Sequence, residues 1–131
     1  MGTKGKRTRK LISKKTNDNQ PAPLTKEFAS KVLSRVPVKN GFYFYTSAGN
    51  PTGAIACTLG EFSDRVKSLP AVTIEFHLAR GDFENWVRFL GDDDLAQQIT
   101  ALRAENLSGE TLCQAFVSVI QQRQSQLQKL I

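Results

Sequence analysis

The chain has 131 residues, 40% of them hydrophobic and 23% charged, which fits one globular domain with a real core and excludes a wholly disordered chain. No apolar run approaches the length of a membrane span, and the basic start is followed by Leu11-Ile12 alone, so no signal-peptide core is read. The formal net charge of +6 is unevenly placed.

Residues 1–20 hold Lys4, Lys6, Arg7, Arg9, Lys10, Lys14 and Lys15 against one acid, Asp18. The rest of the chain therefore carries as many acids as bases. Residues 1–23 read as a disordered basic arm ending in Gln20-Pro21-Ala22-Pro23, and residues 24–131 as a single compact domain. Such an arm suits nucleic acid or another acidic partner through phosphate or carboxylate contacts. It has no interleaved aromatics, so base stacking is not indicated. The plainer reading is a solubilising tail.

Thr25 is placed to cap a helix over Lys26 to Arg35, with Phe28, Val32, Leu33 and Val36 on its apolar side and Pro37 as its stop. Phe42-Tyr43-Phe44-Tyr45-Thr46 is a strand by composition. Residues 47–53 are all turn chemistry, and Ala54 to Cys57 form a second strand, which gives an antiparallel hairpin with a wide loop. Gly49, Thr52 and Gly53 hint at a phosphate cradle, but no Lys and no helix start follow, so that reading is rejected.

Thr58 and Glu61 stand three apart and make a capping box for a helix through Val66, with Leu59 and Phe62 inward. Residues 71–79 carry conflicting signals. Val72, Ile74, Phe76 and Leu78 alternate as in a strand, while Pro70 suits a first helical position. Helix is the reading taken; a strand would give a three-stranded sheet.

The stretch Phe76 to Val87 holds the only histidine and the only tryptophan. Gly81 supplies a permissive corner, Asp82 a cap for the helix after it, and Phe83, Trp86, Val87 and Leu90 one apolar face. His77 and Arg80, three apart, share a face if helical. One reading makes His77, Arg80 and Asp82, with Glu84 nearby, a polar cluster for a small ligand or a proton transfer. The other makes His77 a buried hydrogen-bonding residue that locks the corner, Asp82 a plain cap and Trp86 core. The second is favoured, because no nucleophile and no second base accompany the histidine. No catalytic residue, cofactor or metal is assigned.

Gly91 ends that helix, and Asp92-Asp93-Asp94 opens the next, with Leu95, Ile99 and Leu102 apolar. The three acids lack calcium-loop spacing. Ser108 caps a last helix that turns polar from Gln121, a candidate surface for pairing with another copy of the chain. Cys57 and Cys113, far apart and within apolar segments, read as reduced thiols in a cytoplasmic protein. The fold class is thus α+β and mainly helical, with one β-hairpin followed by about four helices.

The order of these features, namely Phe42-Tyr43-Phe44-Tyr45, Leu59-Gly60-Glu61-Phe62, His77-x-x-Arg80-x-Asp82-Phe83-x-x-Trp86, Leu90-Gly91-Asp92 with Leu95-Ala96, and Gly109-Glu110-x-Leu112, resembles a family of small archaeal and bacterial domains with no assigned function. The likeness covers roughly residues 40–130 and leaves out the basic arm. It implies a small, mainly helical cytosolic domain and supplies no activity, cofactor or substrate. Taken together, the residues point to a non-enzymatic binding or adaptor module. A ligand or enzyme site at the corner and self-association through the last helix are the alternatives.

Overall fold

The computed structural model describes residues 23–131. The basic stretch at 1–20 lies outside them. The elements are α1 (Lys26–Val32), a 3-10 turn (Val38–Asn40), β1 (Phe42–Ser47), β2 (Asn50–Ala56), α2 (Leu59–Val66), α3 (Ala71–Arg80), α4 (Asp82–Leu90), α5 (Asp93–Ala104) and α6 (Gly109–Gln128). The fold is α+β and mainly helical, with one two-stranded antiparallel sheet.

Alternating aromatics make β1. Phe42 and Phe44 turn inward and Tyr43 outward, as the two-residue period of a strand demands. The hairpin loop is tighter than expected. Ser47 pairs with Asn50, so Ala48 and Gly49 alone make the reversal, with Gly49 at φ +80°. Asn50 to Gly53 belong to the strand despite their turn composition, because Thr52 Oγ1 donates to Phe44 O at 2.9 Å across the hairpin. The first helix is shorter than expected. It ends at Val32 with Leu33 as its cap, and Val36 N–H instead donates to Cys57 O at 2.9 Å.

Residues 71–79 form a helix. The strand-like alternation is not used: Val72 faces solvent, while Thr73, Ile74, His77 and Leu78 are buried at helical spacing. Pro70 stands just before the first turn rather than in it. α3 covers β1, and α6 runs beside α1, α2, α3 and α5 as the central helix. One contiguous core joins Phe42, Phe44, Phe62, Phe83 and Phe116 with the aliphatic residues around them. Phe42 stacks on Phe83 at 5.2 Å and Phe62 on Trp86 at 5.2 Å.

The caps follow the sequence only in part. Thr25, Thr58 and Asp92 accept from the N–H groups of Phe28, Glu61 and Leu95. Ser108 sits at the start of α6 without using its hydroxyl, and the Glu75 carboxylate of α3 takes Gly109 N–H at 2.8 Å instead. Glu61 reaches back to Cys57 N–H at 2.8 Å, one residue ahead of the capping position. The acidic run at 92–94 is split: Asp92 is fully buried and bound by Arg123 through two bonds of 2.7 and 2.8 Å. Arg123 takes a core-facing place on α6 in line with Phe116, Ile120 and Leu127.

A buried pair that loses one partner leaves an uncompensated charge. Arg123→Leu is therefore expected to destabilise the protein by about 3–5 kcal/mol, read as a lower urea midpoint with unchanged slope. Asp92→Ala removes the pair and the α5 cap together, so it is expected to cost at least as much.

Candidate functional site

The corner between α3 and α4 is a single residue. Gly81, at φ +77°, both ends α3 and precedes α4. A side chain there would be held in the left-handed region, which costs about 1 kcal/mol or more. The bend aims His77, Arg80 and Asp82 at one another and at the end of β1.

His77 is 3% exposed. Its Nε2 accepts from Tyr45 N–H at 2.8 Å. A backbone amide can only donate, so that nitrogen carries a lone pair. The ring proton must then sit on Nδ1, which donates to Asp82 Oδ2 at 2.8 Å. The imidazole is neutral and fixed in one tautomer. Rings of Phe42 and Phe76 pack on it edgewise at 4.9 and 5.0 Å. Burial pushes its pKa below the ordinary histidine value; the Asp82 carboxylate opposes that and Arg80 adds to it.

Asp82 is not a cap, contrary to the sequence expectation. α4 has no side-chain cap bond at its start. The carboxylate is turned away by two better donors, His77 Nδ1–H and Arg80 Nε–H, the latter at 3.0 Å. Arg80 lies more than half exposed and stacks over the Phe76 ring at 5.1 Å. Trp86 is core as expected, and its indole N–H donates to Asn40 O at 2.9 Å. The two helices of the corner thus hold both ends of β1: α4 grips its entry and α3 an amide near its exit.

A cleft of about 450 Å³ lies over this cluster, between Tyr45, Gly49, Phe76 and Arg80. Asp82 also lines it, and neither His77 nitrogen is open to it, since both are engaged within the fold. Glu84 does not join the cluster. It is buried against α5, where Thr100 donates to it at 3.0 Å and Arg103 pairs with it. The structure brings together His77, Arg80 and Asp82, and it separates Glu84 from them. Sequence reading did not find the Asp92–Arg123 pair, although an arginine in the apolar stripe of α6 was its signal.

No family model, curated protein or solved structure matches the chain. The site must therefore be understood from its own geometry. Among the described residues, no helix is long and apolar enough to cross a membrane. Cys57 and Cys113 are free thiols, the first buried and the second half-buried. Burial and the nearby Glu110 and Glu75 push the Cys113 thiol pKa up, so it is not activated as a nucleophile.

The histidine makes stability depend on pH. Unfolded, it takes a proton near the ordinary value of about 6.5. Folded, it resists protonation. The unfolded state therefore binds more protons as pH drops below that value, and the native state loses stability. Stability is expected to be complete above about pH 6.5 and to decline below it until the folded histidine itself titrates. His77→Gln is expected to flatten this part of the profile. His77→Ala, which leaves Tyr45 N–H without its acceptor, is expected to cost about 2 kcal/mol. Urea unfolding between neutral and mildly acidic pH checks both.

Proposed function

We propose that the protein is a non-enzymatic binding module that contacts nucleic acid through residues 1–20, with the folded body as its neutral scaffold. The observation that carries this reading is the charge division. Lys4, Lys6, Arg7, Arg9, Lys10, Lys14 and Lys15 face a single acid in that stretch, while residues 21–131 balance acids against bases. Clustered cations with no aromatic between them suit a phosphate backbone, whose affinity comes from counterion release and carries no sequence code.

The state of His77 supports the absence of catalysis. A general base needs a lone pair directed at substrate. Here the one imidazole lone pair is taken by Tyr45 N–H and the ring proton by Asp82. The corner is a brace.

The full chain is expected to bind duplex DNA or RNA without sequence preference, and to lose about a thousandfold in affinity for duplex DNA between about 50 and 200 mM salt. Deleting residues 1–20 is expected to abolish binding while leaving the thermal midpoint of the body unchanged. Fluorescence anisotropy with labelled duplexes measures the first and calorimetry the second. Binding that survives the deletion, or that ignores salt, overturns the reading.

A further inference from the structure

α6 gives one side to the core, through Leu112, Phe116, Ile120, Arg123 and Leu127. Among the described residues, no other element covers its opposite side. A groove of about 660 Å³ separates the α2–α3 connection from the first half of that side. Val66, Leu69, Pro70 and Ala71 form its far wall, and Cys113 and Val117 the apolar part of its helix wall. A second hollow of about 530 Å³ shares Gln121 and Gln122 with the groove and continues along Ser125, Gln126, Lys129 and Leu130. One trough therefore follows α6 from Glu110 to Lys129, about 28 Å at the rise of an α-helix.

We propose that this trough is a self-association surface, in which α6 of a second copy lies antiparallel along α6 to form a two-fold dimer. The argument rests on charge and register. Glu110 stands at one end of the trough and Lys129 at the other. Antiparallel alignment sets Glu110 across from Lys129 of the second copy, and two-fold symmetry makes that pair twice. Parallel alignment would set Glu110 against Glu110 and Lys129 against Lys129, with the helix dipoles also aligned unfavourably. Charge thus selects one orientation and one partner, a chain with the same ends.

The same register sets Gln114 across from Ser125 and Ser118 across from Gln121 of the second copy, so amides meet hydroxyls along the middle of the contact. It also brings the C-terminal Leu130 and exposed Ile131 of each copy to the α3 end of the other copy's groove. That end is fixed by the bond from Gly109 N–H to Glu75, and there Leu69, Pro70 and Ala71 lie beside the exposed Val72. Side chains left half-exposed in one copy, Val117, Cys113 and Leu130, would be covered in the pair. The proposal does not depend on nucleic-acid contact, and either can fail alone.

Sedimentation equilibrium of the full chain, and of Glu110→Lys, Lys129→Glu and the double variant, tests it. Both positions are exposed, and circular dichroism confirms that each variant is folded. The expected result is a reversible dimer, a dissociation constant raised roughly tenfold by each single reversal, and recovery toward the original value in the double variant. A chain that stays monomeric at every concentration overturns the proposal. So does a dimer that the single reversals leave unchanged, or a double variant no better than the singles.

Discussion

The hydrogen bond from Tyr45 N–H to His77 Nε2 is the constraint on which the arrangement of the molecule depends. A two-stranded hairpin leaves a row of amides on each strand without a strand to pair with. Burying such an amide unpaired costs about as much as a lost hydrogen bond. α3 covers that side of β1, and His77 supplies the acceptor that water no longer can. The two residues are 32 positions apart, so this one contact fixes how the helices sit on the sheet. Asp82 orients the ring from behind, Arg80 holds Asp82, and Gly81 makes the bend that brings them together.

That use of the histidine has a functional consequence. A ring held between an amide donor and a carboxylate acceptor is an efficient brace and a poor base. The cleft above it is lined by an aromatic wall, the Arg80 guanidinium and the Asp82 carboxylate that both neighbours hold. The two proposed binding surfaces lie elsewhere on the chain, in the cationic stretch and along the side of α6 that no other described element covers. Both are features of surfaces that bind.

Much of the body could be read from residue order. Phe42 to Tyr45 could only be a half-buried strand, and Phe83, Trp86, Val87 and Leu90 could only be one side of a helix. Thr25, Thr58 and Asp92 declared helix starts. The failures share a cause: a partner other than the expected local one took the group, near in sequence for Asp82 and the hairpin, distant for the start of α6 and for Arg123. Asp82 looked like a cap, but His77 and Arg80 took its carboxylate. Ser108 looked like a cap, but Glu75 reached its helix first. Asn50 to Gly53 looked like loop, but the opposing strand held them. Arg123 fell in the polar run that starts at Gln121, but Asp92 drew it into the core. The alternation in residues 71–79 was ambiguous by itself, and the need for His77 and Leu78 to face β1 and the core together decided it. No pattern of local spacing encodes which donor a carboxylate will meet across the fold.

The claim that His77 is a neutral brace is tested most directly by nitrogen-detected NMR of its imidazole in the folded protein. The account predicts the Nδ1–H tautomer at neutral pH, a hydrogen-bonded Nδ1 proton slow to exchange, and protonation only below the ordinary histidine value. A ring protonated on Nε2, or one that titrates freely near the ordinary value with rapid exchange, would contradict it.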